Sequence, residues 1–343
     1  MTNQEMIILT FCAYLTKGCG SVSFKKLLDK YTKDDLFTYL KGIYSSKISE
    51  ASDLILRLRN HEIGYCCIWQ DIYPRSLFNS YAPPIVIFYK GDISIASEEI
   101  VSIVGTRNCS DLGRKYAKNF TKVLSQYFVI ASGMAFGIDA IVNKTSADCK
   151  GKSIAVLPGS LLEPYPSGNR YVFDGILRSG GLVISEYPFN ADYNAGSFIS
   201  RNRIIAGLAS NIILIESPSK GGSLSTCSIG FSNSCHVYAI PANIDLRSFE
   251  GNNNLIKSQI AQIITSPYDI VNSKDKLIVQ TKTYSLSYDE NLILDVIKIN
   301  SNFDSICLSL KGKITFDKVY DIMLSLEMNG IIARNISGKY SLI

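Results

Sequence analysis

The densest group of chemically competent residues lies between Ser197 and Gly207, where Phe198, Arg201, Asn202 and Arg203 stand at a predicted helix start. Two arginines flanking an asparagine can hold phosphates, since a guanidinium presents a planar fork of donors. An aromatic ring one turn earlier can stack on a base. Cations beside a stacking ring are how unpaired polynucleotides are held without their sequence being read. The same residues admit a structural account, in which Phe198 plugs the core and one arginine pairs with Glu186; the two accounts are compatible.

Three glycine-bearing turns have the composition to complete such a site. Gly105-Thr106-Arg107-Asn108-Cys109-Ser110 follows an apolar run, with Gly113 beyond it. A glycine there turns the chain tightly and exposes backbone N–H groups, the next helix start adds partial positive charge, and Arg107 can clamp a phosphate. The spacing of Gly105 and Gly113 is not G-x-G-x-x-G. Ser132-Gly133-Met134-Ala135-Phe136-Gly137-Ile138-Asp139 is a second backbone cradle, although Gly133 and Gly137 equally suit a tight turn with no ligand. Lys220-Gly221-Gly222-Ser223-Leu224-Ser225 opens a third helix. In Tyr165-Pro166-Ser167-Gly168-Asn169 the asparagine fits an N-cap. In Ser185-Glu186-Tyr187-Pro188 the acid is either a base or a partner for an amide or an arginine.

Several chemistries fail on spacing. Gly151-Lys152-Ser153 resembles the end of a P-loop, but position 146 is serine and the run precedes a strand where the motif follows one. There is no G-x-S-x-G elbow. The two histidines, His61 and His236, lack metal-ligand spacing, and the nine cysteines contain no C-x-x-C pair. Cys235 and His236 are neighbours on a predicted strand and so point to opposite faces. The cysteines read as reduced core residues of a cytosolic protein. No catalytic residue, metal or cofactor is expected.

Composition agrees. With 46% hydrophobic and 19% charged residues the 343-residue chain is globular. A net charge of +5 is too small to prove a polyanion partner, but seven of the eleven arginines lie between 107 and 247. Met1–Gln4 lacks a basic leader, and the apolar runs are of strand length, so no membrane span is expected and a cytoplasmic location is.

The elements that must position these loops follow from periodicity. Residues 1–60 read as a small helical module, with Gly18-Cys19-Gly20-Ser21 breaking two helices. A helix–turn–helix of this kind can touch a nucleic-acid backbone or simply pack. Residues 61–100 form a connector, broken by Tyr73-Pro74 and Pro83-Pro84, with a strand at Ile85–Tyr89. From 101 to 271 apolar strands (Val101–Val104, Phe128–Ala131, Ile154–Leu157, Leu182–Ile184, Ile212–Ile215, Val237–Ile240) alternate with helices near 112–127, 138–147, 169–179, 200–208 and 222–233. That alternation predicts an α/β fold: a doubly wound, Rossmann-like, mostly parallel sheet whose ligands sit beyond the strand ends. Residues 272–283 read as a linker. Residues 284–343 read as two helices and a hairpin at Ser337-Gly338, with Gly330 as a helix stop; this pattern is winged-helix-like.

Taken in order, Ile103-Val104-Gly105-Thr106-Arg107, Ser132-Gly133-Met134-Ala135 with Gly137-Ile138-Asp139, Tyr165-Pro166 with Asn169, Ser185-Glu186-Tyr187-Pro188, Phe198, Arg201-Asn202-Arg203-Ile204-Ile205-Ala206-Gly207-Leu208, Gly222-Ser223-Leu224, Val237-Tyr238-Ala239-Ile240-Pro241 and Asn254-Leu255-Ile256 resemble the DprA/Smf family of DNA-processing proteins. The resemblance implies an extended Rossmann-like core that binds single-stranded DNA, forms a homodimer and loads the recombinase RecA during DNA uptake and recombination, without covalent chemistry. By motif, Arg107 becomes the central phosphate clamp, Ser132, Gly133, Gly222 and Ser223 offer backbone contacts, Phe198 stacks on a base, and Arg201, Asn202 and Arg203 line the pocket. The N-terminal helices resemble the family's sterile-alpha-motif or helix-hairpin-helix module. The C-terminal residues resemble its winged-helix appendage.

This chain departs from the family at four places. Phe136 stands where an arginine is usual, Ser200 where a proline or basic residue is common, Cys235 where a basic residue is usual, and Pro241-Ala242 where Pro-Gly is usual. The losses of charge bear on DNA affinity. The runner-up reading is a Rossmann-like nucleotide hydrolase of the phosphoribohydrolase kind, with Glu186 as its acid. Such enzymes carry a P-G-G-x-G-T-x-x-E loop, and Gly221-Gly222-Ser223-Leu224-Ser225-Thr226-Cys227 has no glutamate in register.

Overall fold

The structure, a computed structural model, describes residues 2–189, 195–271, 287–298, 300, 302–328, 332–334 and 339–342. It divides into two compact units, Met1–Ser273 and Lys274–Ile343. The first begins with helices α1 (Asn3–Tyr14), α2 (Ser21–Lys30), α3 (Lys33–Tyr44) and α4 (Ile48–Asn60). Strand β1 (Gly64–Cys67), a single turn α5 (Arg75–Phe78) and strand β2 (Val86–Gly91) follow. The expected module edge near residue 60 is not a boundary between compact units. Met6, Phe11, Phe24 and Leu40 of the N-terminal helices share one apolar cluster with Cys66 of β1 and Phe88 of β2. The rings of Phe11 and Tyr14 meet Phe88 edge to face at 6.0 and 5.4 Å between centroids.

The alternating part reads β3 (Ile100–Val104), α6 (Asp111–Leu124), β4 (Val129–Ser132), α7 (Ile138–Asp148), β5 (Ser153–Leu157), α8 (Arg170–Arg178) and β6 (Leu182–Ser185). It continues with α9 (Ala195–Leu208), β7 (Asn211–Leu214), α10 (Gly222–Ser232), β8 (His236–Ala239), α11 (Glu250–Lys257) and a two-residue β9 (Gln262–Ile263). The strands form one sheet in the order β1-β2-β6-β5-β4-β3-β7-β8-β9. Strands β3 to β9 are parallel, and β2 pairs antiparallel with both β1 and β6. The Rossmann-like, mostly parallel fold is therefore present, and the connector adds two antiparallel strands to its edge.

The central strands β3, β4, β5 and β6 are buried on both faces along their whole length, as a covered parallel sheet requires. In β3, Val101 and Ile103 join the cluster under α6 and α7, while Ile100 and Val104 join the opposite cluster. Ser102, wholly buried on that second face, donates its hydroxyl to the carbonyl of Ile205 in α9 at 2.9 Å. The chain runs outward from β3 to β6 and then crosses back to lay β7 on the other side of β3. The loops after β3 and β7 consequently diverge and open a crevice between them at the carboxyl ends of the strands.

In the second unit, α12 (Tyr288–Ile297), α13 (Phe303–Ser309) and α14 (Phe316–Met328) precede an antiparallel pair, β10 (Ile332–Arg334) and β11 (Tyr340–Leu342). Ser287 and Glu290 form a capping box at the start of α12. Ile293, Ile297, Ile306, Val319, Met323 and Leu326 make a separate core. Three helices, where the sequence pattern shows two, precede the hairpin of a winged-helix-like module. The expected linker at 272–283, the helix stop at Gly330 and the turn at Ser337-Gly338 lie outside the described residues. Among the described residues no helix is long and apolar enough to cross a membrane.

Candidate nucleic-acid interface

The crevice between the β3 and β7 loops is a cavity of about 610 Å³. Gly105, Thr106 and Arg107 form one wall, Lys220, Gly221, Gly222 and Ser223 the other, and Phe198 and Asn202 of α9 the back. Arg107 is exposed at the mouth, with its guanidinium 4.6 Å from the centroid of the Phe198 ring. That contact holds a long cation extended over an aromatic face. The Phe198 ring also meets Tyr165 edge to face at 5.6 Å.

The two walls are built differently. Helix α6 starts at a closed corner. Ser110 caps it by accepting from the N–H of Gly113 at 3.0 Å, and the buried carboxylate of Glu216 accepts from the Ser110 N–H at 3.0 Å. A side chain at Gly113 would collide with that carboxylate, which explains the glycine. The anion site expected at this helix start is therefore filled by the chain's own Glu216, and the charge on this wall of the cavity comes from Arg107. Helix α10 starts at an open corner. Gly221 caps it with no side-chain hydrogen bond, and a Cβ placed on Gly222 would meet nothing within 4 Å. Backbone N–H groups and the positive helix end face the cavity here, with Lys220 exposed beside them.

Helical phase decides the fate of the α9 cluster. Residues three or four apart share a face and residues two apart do not. Phe198, Arg201, Asn202 and Ile205 therefore line the cavity, and Arg203 turns away. Arg201 is 95% removed from solvent, with 5% relative exposure. It donates to the carbonyl oxygens of Gly133 and, at 2.7 Å, Val156, so it ties two strand ends together with no donor left facing outward along those bonds. Asn202 donates to the Gly222 carbonyl at 3.2 Å and the Ser225 hydroxyl at 2.9 Å and so fixes the open corner of α10. Arg203 is not in the cavity. It bonds Glu186 at 2.5 and 2.6 Å and the Ala82 carbonyl, and reaches Ser21 of α2 at 3.5 Å. The structural account of an arginine paired with Glu186 applies to Arg203.

Ser132 is also absent from the cavity wall. It is wholly buried and donates its hydroxyl to Ile103 O at 2.7 Å, which clamps β4 to β3. Gly133 lines a narrow crevice with Arg107, Phe136, Tyr165 and Phe198. Its lack of a side chain is needed, because a Cβ there would fall on Arg201 and Asp139. Gly137, at φ +77°, packs so close to the Thr106 and Arg107 carbonyls that only glycine fits. Asn169 stands at the N-cap position of α8 but caps nothing with its side chain; it donates to Met134 O at 2.8 Å and pins the second cradle. Glu186 is held by Arg203 and Ser21, outside the cavity lining.

Sequence reasoning quotes Lys220 and Asp139 within their loops without giving either a place in the site, and it passes over Glu216. Lys220 belongs to the wall, and its place before Gly221-Gly222 at a helix start was the available signal. Asp139 lies at the cavity floor, 6% exposed. Burial pushes its carboxyl above the ordinary range, while Arg201 and an N–H from Gly105 pull it back. Glu216 had no signal, since its role depends on the sheet crossover. Of the departures from the family pattern, Phe136 is 50% exposed and presents a ring at the crevice beside Arg107. Cys235 precedes β8, at the opposite end of the sheet, and donates its thiol to Ala209 O at 3.1 Å. Its loss of charge is thus remote from the cavity.

Residues 64–275 match the family described as DNA recombination-mediator protein A. The chain belongs to this DprA/Smf family. It is 35% identical over 230 residues to the DNA processing protein DprA of Streptococcus pneumoniae, covering 67% of this chain and 81% of that protein. A Synechocystis relative named Protein Smf is also 35% identical, over 59% of this chain, but 51% of its own length is spanned. Among solved structures, the S. pneumoniae DprA superposes with a TM-score of 0.68 at 29% identity over 79% of this chain and 98% of its own. A DprA from Helicobacter pylori, described for its single-stranded-DNA binding mode, superposes at 0.56 with 26% identity, over 62% of this chain and 96% of its own.

Proposed function

We propose that this DprA/Smf protein binds single-stranded DNA in the cavity between β3 and β7, and that it works as a recombination mediator that carries no covalent chemistry. The observation that carries the reading is the pair formed by Arg107 and Phe198, 4.6 Å apart at the mouth of a cavity whose far wall is an uncapped helix start. A base stacks on Phe198, its phosphate meets Arg107 and Lys220, and the next phosphate meets the N–H groups of Gly222 and Ser223. Arg201, Asn202, Gly133 and Ser132 shape this cavity from behind, and Arg203 braces it from outside. The relatives' names and the H. pylori DprA described for its single-stranded-DNA binding mode support the nucleic-acid class.

The finer parts of the proposal are a homodimer, loading of a RecA-type recombinase onto the bound strand, and action in the cytoplasm during DNA uptake and recombination. A titration of oligothymidylate at rising salt tests the core of it. Log affinity is expected to fall with log salt by about 0.7 per neutralised phosphate. No shift of the oligonucleotide at low salt sinks the reading. Recombinase filament nucleation on single strands already coated by a single-strand-binding protein tests the loading step, and failure to accelerate it removes that part alone.

A further inference from the structure

Arg107 borders a second cavity, of about 240 Å³, as well as the main one. The β3 loop and first turn of α6, the outer side of α7 and the start of α8 line it. Its charged lining residues are Arg107, Arg114 of α6 and Lys144 of α7, and among the described residues no carboxylate lines it. Arg114 and Lys144 are each about half exposed. Arg114 Nε lies 3.8 Å from Asp111 and Lys144 Nζ 2.5 Å from Asp148, each acid on the cation's own helix and outside the lining. Such exposed pairs are weak. They also leave most of the donors of a guanidinium and an ammonium unused. A concavity lined by charges of one sign concentrates the opposite ion, so this one selects an anion. The exposed rings of Phe136 and Tyr171 stand in the same lining, and Phe136 also lines the narrow crevice shared with Phe198.

We infer that this cavity is a further phosphate subsite for the same single strand, in which Arg114 and Lys144 hold a phosphate on the far side of Arg107 from the main cavity. The inference rests on the single-stranded-DNA reading above. Arg107 is the hinge of the argument, because the one residue that clamps a phosphate at the mouth of the main cavity is also part of this wall. The guanidinium and the ammonium supply charge-assisted donors to the phosphate oxygens. The neighbouring rings offer π faces to the attached bases, which a bare anion would leave uncovered. The strand therefore leaves the main cavity past Arg107 and Phe136 toward the exposed ends of α6 and α7.

The test titrates the full chain with an oligothymidylate of about sixteen nucleotides across a range of salt. It compares Arg114→Ala/Lys144→Ala with a charge-matched pair, Lys115→Ala/Lys122→Ala. Lys115 and Lys122 are exposed on α6 but line neither cavity. All four side chains are at the surface, so both double variants are expected to melt at the wild-type temperature. Arg114→Ala/Lys144→Ala should weaken binding about tenfold and reduce the salt slope by about 0.7. Lys115→Ala/Lys122→Ala should keep the wild-type slope and affinity. Wild-type behaviour of the first pair overturns the subsite, and the main cavity survives if Arg107→Ala still weakens binding. Equal losses in the two pairs also overturn it, because the charges would then act diffusely. Inorganic phosphate, titrated by calorimetry at constant ionic strength, covers the remaining occupant. A phosphate heat that vanishes in Arg114→Ala/Lys144→Ala while strand affinity stays at the wild-type value assigns the cavity to a free anion and overturns the proposal. Failure of the wild-type protein to bind the oligonucleotide at low salt removes the single-stranded-DNA reading and this subsite with it.

Discussion

The two corners that face each other across the cavity are made from similar sequence and end with opposite properties. Both place glycine between a strand and a helix, and both were expected to cradle an anion. At α6 the cradle is already occupied: Glu216 accepts from the Ser110 N–H, and Gly113 is absent a side chain because that carboxylate needs the room. At α10 no carboxylate arrives, Gly221 leaves the helix start uncapped, and Lys220 stands beside it. A glycine-rich turn is therefore only a permissive geometry. Whether it binds a ligand depends on what the rest of the fold has put there. The closed corner contributes a side chain, Arg107, and the open corner contributes backbone.

That division can be broken from either side. The largest effect is expected at Arg107→Ala, which removes a charge-assisted phosphate bond and the cation over Phe198. Affinity for oligothymidylate should fall by on the order of 2–3 kcal/mol, and the salt slope should shrink by about 0.7, with the melting temperature unchanged. A variant that binds as tightly as wild type would show that the closed corner contributes nothing. Glu216→Ala comes next and should act on stability instead. A buried carboxylate at a helix start contributes up to about 2 kcal/mol, so the urea midpoint drops. If stability holds while DNA binding fails, the corner was not closed.

Most of the architecture was legible because it is written in short-range periodicity. The β3, β5 and β8 runs are apolar and flanked by helical patterns, and each strand falls within about one residue of its expected place. The edge strands β1 and β9 and helix α11 were not seen, since β1 is four residues long with the sequence Gly64-Tyr65-Cys66-Cys67 and β9 has two residues. The site was half legible. Arg107 and Phe198 came from motif and residue chemistry and do meet. Arg201 and Arg203 are close in sequence, yet helix α9 begins at Ala195, earlier than the expected 200, and its phase sends them apart. Arg203's partners, Glu186, Ala82 and Ser21, come from three distant segments. Residue chemistry offers Glu186 as a partner for one of the two arginines, but no local pattern names Ala82 or Ser21.

The open corner has its own test in Gly222→Pro. Proline suits the first residue of a helix, where the missing N–H has no intrahelical acceptor, and Gly221 already has the extended backbone (φ −111°, ψ 144°) that a following proline demands. With nothing within 4 Å of a Cβ there, the variant should fold normally. It loses one amide aimed at the strand, so affinity should fall about tenfold, or roughly 1.5 kcal/mol. An unaffected affinity would mean that the helix start is not in contact with DNA.

The smallest expected effect concerns Asp139 beneath the same cavity. Burial raises its carboxyl in the folded state, so folding favours the protonated form. Its contribution to stability is therefore present below the ordinary carboxylate range of about 4 and is lost as pH climbs through the raised value. Asp139→Asn keeps an acceptor for the Gly105 N–H but cannot titrate, so the decline in urea midpoint over that window should flatten. The same variant leaves Arg201 without its opposing charge, which lowers stability at neutral pH and opposes the gain from removing a buried carboxylate. A midpoint that falls as steeply with pH in the variant as in wild type would assign the titration to other groups.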